Sequence, residues 1–422
     1  MPQLRPMHCS GQSLAIPLRL SNTLPLSVAR NVTSLGQVFT PPNIVELMLS
    51  LRTRQGRVLE PSAGAGAFSS RLPGCVAVEF DPDVADESMI RGDFFTFPAT
   101  ERFDTVIGNP PYVRFQDIPE TTRARLDMAR FDGRSNLFLF FIDKCLQHLA
   151  DHGELIFIVP REFIKLTAAR KLNRHLFDTG TITHWIETGD TRIFDGAVPN
   201  CAIFRFEKGN FSRQTHYRTL QTPRWETRHF IEMDGQLAFS PAHMSVPLSA
   251  LFSVKVGAVS GADDVFAHPE GNVEFVYSRT IDTGATRRML YNHLHPDLLA
   301  HKPRLLDRRV RPFNEANWWH WGRGYPHTDA PRIYLNSRTR RAAPFFLHPA
   351  QAYDGAILAL FPHDQRLPLD KATHLLNTAV PWEALGFRVD GRFLFTQRGL
   401  QTVVLPDAFK ALTAPINPAP AT

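Results

Sequence analysis

Apolar residues recur along this 422-residue chain with two periods, and the alternation between them divides its first half into elements. Ile44, Val45, Leu47, Met48 and Leu51 follow Pro41-Pro42 at helical spacing. Proline suits a first helical turn, where its missing N–H would have had no partner. Residues 57–60 read as a short strand that breaks into Pro61-Ser62-Ala63-Gly64-Ala65-Gly66, after which 67–72 is expected to open a helix. Strands are expected over 75–79, 103–108, 154–160, 184–187 and 202–206, with helices over 136–149 and 162–177. Strands alternating with helical segments predict an α/β fold with a doubly wound parallel sheet. Past Gly209 the pattern shortens into Pro-interrupted strands and loops. The expected organisation is a lead segment over 1–33, a first domain over 34–210 and a linker over 211–245. A second, mixed α+β domain over 246–412 and a Pro/Ala-rich tail over 413–422 complete it.

Composition narrows the class. With 43% hydrophobic and 21% charged residues the chain has material for two cores, and disorder over most of its length is excluded. No run of about 18 uncharged apolar residues marks a membrane span. The apolar stretch at 14–20 is interrupted by Arg19, and no small-residue cleavage site follows, which argues against a secretory signal. Cys9, Cys75, Cys145 and Cys201 are widely spaced, fitting a reducing cytoplasm better than a disulfide framework or zinc knuckle. His293 and His295 have no third ligand at suitable spacing, so no metal is expected.

Charge is unevenly placed. Residues 1–210 hold 23 basic and 23 acidic residues, so the net +6 lies beyond them. The block 279–341 has 13 basic residues, 12 of them Arg, against 5 acidic ones. Arg offers a flat fork of donors suited to phosphate and guanine edges, so the block reads either as a nucleic-acid surface or as a solvated basic face. Arg308, Arg309, Arg311, Arg338, Arg340 and Arg341 are the candidate contacts. Trp318, Trp319 and Trp321 in the same block read as core.

Four segments of the first half carry chemistry. Gly64 and Gly66 sit in a strand-to-helix turn where a missing Cβ lets backbone approach a ligand, although a purely structural turn has the same look. Glu79 ends the next strand, where an acid can accept hydrogen bonds from two ribose hydroxyls. Asp93-Phe94 lies one unit later, where an acid can accept from an exocyclic amine and a ring can stack. No phosphate-binding G-x-x-x-x-G-K-[ST] loop is present, which favours S-adenosylmethionine over ATP. Asn109-Pro110-Pro111-Tyr112 is the decisive segment. Two prolines fix the backbone and remove two donors, leaving the Asn109 side-chain oxygen and the Pro110 carbonyl to accept both N–H bonds of a planar amine. Those bonds would free the nitrogen's lone pair to attack an electrophilic methyl, with Tyr112 as a stacking face.

In order, G-Q-V-F-T-P-P, V-L-E-P-S-A-G-A-G-A-F, V-E-F-D-P, G-D-F-F, I-G-N-P-P-Y, R-S-N-L-F-L-F-F and I-F-D-G-A-V-P-N-C-A-I-F-R-F resemble the gamma-class adenine-N6 DNA methyltransferases. The resemblance covers about 36–206, with more diffuse echoes of a target-recognition domain in the second half. It implies a Rossmann-like S-adenosylmethionine-dependent methyltransferase domain followed by a DNA target-recognition domain. It also implies methyl transfer to adenine N6 in duplex DNA by base flipping. Thr40 would border the methionine moiety of the cofactor, and Glu60 and Ser62 its amino-acid end. Glu79 would hold the ribose, and Asp93, Phe94 and Pro111 the adenine. Phe194, which alone reads as core, aligns with an aromatic that stacks on the extruded base opposite Tyr112. A separate cognate restriction endonuclease is an expected companion. The rival readings are an RNA-adenine or protein-glutamine methyltransferase and, in another class, a catalytically silent DNA-binding specificity subunit.

Overall fold

The computed structural model of the protein describes residues 38–189 and 200–412. The lead segment 1–33, Phe194 and the tail 413–422 lie outside the described residues. Ten strands build one sheet: β1 (Val58–Glu60), β2 (Val76–Glu79), β3 (Ile90–Arg91), β4 (Phe103–Gly108), β5 (Leu149–Pro160), β6 (Gly180–Glu187), β7 (Cys201–Lys208), β8 (Gln214–Thr219), β9 (Glu226–Met233) and β10 (Gln236–Ser240). Their spatial order is β10-β9-β8-β6-β7-β5-β4-β1-β2-β3. β3, β2, β1, β4 and β5 run parallel, and β7 enters antiparallel between β5 and β6. This is the doubly wound, Rossmann-like sheet expected from the alternation of elements. From β1 the chain moves outward to β2 and β3, then returns to the other side of β1 as β4. The order therefore reverses between β1 and β4, and a crevice opens beyond their carboxyl ends at such a point.

Burial explains why these segments are strands and helices. Leu155–Val159 in β5 are buried on both faces, the unbroken apolar run of a central strand covered from two sides. Helix α1 (Pro42–Ser50) buries Ile44, Val45 and Met48 in a cluster with Val58, Ile107 and Ile158, which fixes the preceding residues 38–41 against the end of β4. Helix α2 (Leu137–His148) is capped by the Asn136 side chain accepting from the Phe138 N–H, and its Phe138, Phe140 and Phe141 enter the largest core cluster.

Three expectations require correction. The helix expected over 67–72 is a single 3-10 turn, Ser69–Arg71, because Pro73 cannot continue a helix and disfavours helical geometry in the residue before it. The helix expected over 162–177 begins as two 3-10 turns, Arg161–Lys165 and Thr167–Ala169, before α3 (Arg170–Thr179). The segment 211–245, expected as a linker, supplies β8, β9 and β10, which extend the sheet past β6. The Asp234-Gly235 turn between β9 and β10, both residues at positive φ, makes that extension a tight hairpin.

Beyond β10 the chain forms a four-stranded antiparallel sheet from Phe252–Val256, Ile357–Pro362, Ile333–Asn336 and Phe345–Phe346, with smaller sheets around it and a helix at Leu369–Thr378. Trp318 and Trp321 are buried in a cluster with Phe266, Phe275 and Tyr291, the packing role read for them.

Candidate active site

At the reversal point a cavity of about 320 Å³ opens between the ends of β1, β2 and β4. Thr40, Glu60, Ser62, Gly64, Glu79, Asp93, Phe94, Asn109 and Pro111 line it, so residues from five separate sequence segments converge on one crevice. Gly64 stands at φ 54°, and a Cβ there would meet only the Phe39 ring at 3.9 Å. The conformation, not crowding, requires glycine at that position. Gly66, also at positive φ, shapes the turn without lining the cavity.

Asn109 leaves β4 at its carboxyl end. Its side-chain N–H₂ donates to the Val38 carbonyl at 2.9 Å and to Thr40 Oγ1 at 3.3 Å. The Ser62 hydroxyl donates to the Asn109 backbone carbonyl at 3.1 Å. The other end of the amide, Oδ1, is buried with no hydrogen-bond partner among the described residues. A buried acceptor without a donor costs about 1–3 kcal/mol, and this one belongs to a residue of the cavity wall, within reach of a donor from outside the chain. Pro110 behind it is buried and rigid.

The acids are engaged by backbone. Glu79 accepts from the Gly64 N–H at 2.6 Å and the Asp81 N–H at 2.8 Å. Glu60 accepts from the N–H groups of Ser69 at 2.7 Å and Phe68 at 3.3 Å, which ties the glycine turn to the end of β1. Burial pushes the Glu60 carboxyl up to about 7, against the pull of those bonds. Asp93 takes the Phe95 N–H on Oδ1 and, on Oδ2, the Thr122 hydroxyl at 2.8 Å and Arg125 at 3.2 Å. Phe94 is buried, stacked on Phe141 at 5.2 Å between centroids.

Tyr112 does not line the cavity. Its hydroxyl donates to the Ile158 carbonyl at 2.9 Å and its ring meets Phe138 edge-on at 5.9 Å, so the side chain is anchored through its polar end. Burial holds its phenol well above the usual range. The sequence reading missed Phe39 and Phe80, which line the cavity at 42% and 45% exposure. Their signal was position: one lies just before Thr40 and the other just after Glu79, where neither helical nor strand periodicity calls for an apolar side chain. Thr122 and Arg125, which brace Asp93, gave no local signal.

The arginine candidates separate. Arg308 is buried, its guanidinium donating to the carbonyls of Leu305, Ser260, Trp318 and His320. It is a brace of the second half rather than a surface contact, and burial lowers it to about 10. Arg341 is paired with Asp282. Arg309, Arg311, Arg338 and Arg340 are exposed and make no ion pair among the described residues. Elsewhere in the basic block Arg287, Arg288, Lys302 and Arg304 are neutralised by Asp354, Glu274, Glu315 and Asp264. The fold also brings His268 and Asp297 to His295, companions that linear spacing did not show. Each imidazole Nδ1 accepts a nearby backbone N–H, and each Nε2 faces a carboxylate, Asp297 for His268 and Glu270 for His295. Among the described residues no helix is long and apolar enough to cross a membrane.

Comparison with known proteins bears on the same region. Residues 78–194, from β2 past the Asn-Pro-Pro-Tyr turn, match the family described as Eco57I restriction-modification methylase. The chain is 32% identical over 189 residues to the Type II methyltransferase M.HincII of Haemophilus influenzae, covering 42% of this chain and 38% of that one. It is 30% identical over 202 residues to the Type II methyltransferase M.TthHB8I of Thermus thermophilus, covering 42% of this chain and 46% of that one. The matched region thus spans less than half the length of either relative. Among solved structures, the Type IIL restriction-modification enzyme MmeI in complex with DNA aligns over 89% of this chain and 64% of its own, with a TM-score of 0.41 and 11% identity, a likeness too distant to bear on function. Over residues 78–194, where the turn and its bracing strands lie, this chain is thus similar to restriction-modification methylases of the Eco57I type.

Proposed function

We propose that the protein is an S-adenosylmethionine-dependent DNA methyltransferase that modifies adenine N6 in duplex DNA at a short target sequence, working inside the cell beside a cognate restriction endonuclease. The observation that carries this reading is the buried Asn109 Oδ1, without a hydrogen-bond partner among the described residues, in the wall of the glycine-turn cavity. The residues present suit the cofactor: a nucleoside-sized crevice, a Cβ-free wall at Gly64, aromatic rings at Phe39, Phe80 and Phe94, and carboxylates at Glu79 and Asp93. When bound, the cofactor supplies an electrophilic methyl on a sulfonium centre. The carboxylates that now hold backbone N–H groups keep further lone pairs for hydroxyl and amine donors.

The chain's own part is to place an amine. Asn109 Oδ1 accepts one N–H of the target adenine and the Pro110 carbonyl the other, which turns the nitrogen's lone pair out of ring conjugation. Extruding the base costs a few kcal/mol. Stacking on the Tyr112 ring, at ~1–3 kcal/mol per base, offsets much of that, and we assign Phe194 to the opposite face. Attack then needs in-line geometry at about 3–3.5 Å. Asn109→Ala should keep cofactor affinity within about twofold while lowering methyl transfer at least 10²-fold. Isothermal titration and transfer of labelled methyl to duplex DNA check the two halves of that statement. Equal labelling of RNA or of protein by the wild-type chain would favour the rival substrates, and undiminished transfer by the variant would remove Asn109 from the chemistry.

A further inference from the structure

A small antiparallel ribbon in the second half is built like a reader of base edges. Its strands are Arg338–Thr339, Arg392–Leu394 and Arg388–Val389, in that spatial order with the middle one central. Asp390 and Gly391, at φ 48° and 71°, join the last two as a two-residue turn whose twist matches the strands. Register decides the faces. Arg338 pairs with Leu394 and Val389 with Arg392, so these four side chains share one face. Thr339, Phe393 and Arg388 share the other, where Phe393 stacks on Phe395 and Arg388 pairs with Glu383.

The first face is exposed throughout, with Val389 at 50% and Leu394 at 36%. Neither Arg338 nor Arg392 makes an ion pair among the described residues. Two unpaired forks beside two bare aliphatic side chains form an unusual solvent face, because aliphatic groups gain nothing in water and the charges have no counter-ion. They match the contents of a major groove: guanine O6 and N7 for Arg, thymine methyl for the aliphatics, and a width that admits a β-ribbon. The ribbon also lies toward the catalytic edge. β5 ends at that edge and leads into the turn Arg161–Lys165, where Lys165 Nζ donates to the Leu385 carbonyl at 3.3 Å. Leu394 itself lines a groove shared with Arg170 and Asp234 of the first half.

The geometry points to this ribbon as a sequence-reading element of the protein, entering the major groove of duplex DNA with Arg338 and Arg392 on base edges. The inference rests on the DNA methyltransferase reading. The test compares full-length wild type with Arg338→Ala, Arg392→Ala and Arg392→Lys. Lysine keeps the charge and loses the fork, so it separates base reading from phosphate attraction. Modified adenines in a random-sequence duplex library are mapped, and kcat/KM is measured on the wild-type target. All three variants should melt with the wild type, lower kcat/KM by about 10- to 100-fold and relax one position of the methylated sequence. An Arg392→Lys protein with wild-type rate and target would overturn the assignment, as would an unchanged target in all three. A wild-type chain that marks no adenine in duplex DNA sinks the parent reading instead, and this inference with it.

Discussion

Glu60 shows how a side chain can serve the site from beneath it. Its carboxyl is almost fully enclosed, and burial lifts it to about 7 while the Ser69 and Phe68 N–H groups pull it down. A carboxyl whose folded pKa exceeds its unfolded one adds stability in the protonated state. That contribution is whole below about 4.5 and lost as pH rises through about 7. Glu60→Gln should therefore flatten the pH dependence of unfolding between those limits relative to wild type, a difference of up to about 3 kcal/mol, read by denaturant titration at several pH values. Parallel curves would place the ionisation elsewhere. Tyr112 teaches the same lesson in geometry: its hydroxyl is fixed on Ile158, so what it has to offer a ligand is its ring.

At the scale of elements, the strands β5 and β7 are joined by a buried charge pair. Arg205 Nε donates to Glu154 at 2.7 Å, and Glu154 also accepts from the Thr53 and Arg54 N–H groups and the Thr105 hydroxyl. Although burial pushes the other way, those bonds hold the Glu154 carboxyl below its usual range. Its contribution is present at neutral pH and lost as the solution is acidified below about 4.5. Arg205→Met would strand the carboxylate, and a loss of about 3–5 kcal/mol in thermal or chemical unfolding is expected. Replacing both partners by apolar residues should restore much of it. A single variant as stable as wild type would mean that water reaches Glu154.

The doubly wound half was legible because its strands alternate with helices and its turns carry glycine and proline. The glycine turn, Glu79, Asp93 and the Asn-Pro-Pro-Tyr segment could be placed at strand ends from that rhythm alone, and the fold brings them to one crevice. The sheet's extension through β8–β10 was not legible. β8 and β9 are half-exposed and mix charged with apolar positions, and nothing local says which edge the three strands join. Arg308 was misjudged for a related reason: composition counts charges and cannot see which of them point inward.

For the molecule as a whole, the basic block carries less free charge than its composition suggests. Once the buried and paired residues are set aside, Arg279, Arg309, Arg311, Arg323, Arg338 and Arg340 remain exposed without ion pairs among the described residues. If these meet phosphate or base edges, removing Arg309 or Arg311 should lower the slope of log affinity against log salt by about one each and leave the melting temperature unchanged. Arg308→Ala should do the reverse, with the slope kept and stability reduced, because four carbonyls lose their donor. Salt titrations of duplex binding beside melting curves separate the two outcomes. A slope change for Arg308→Ala alone would invert the picture.

The hold of Val38 and Thr40 on Asn109 has a consequence for fidelity. An amide is two-faced, and turned about it would repel an incoming amine instead of welcoming it. The polarity of that corner is decided by a stretch of chain some seventy residues upstream. On the proposed chemistry, a molecule whose early segment were undocked would leave this amide free to turn.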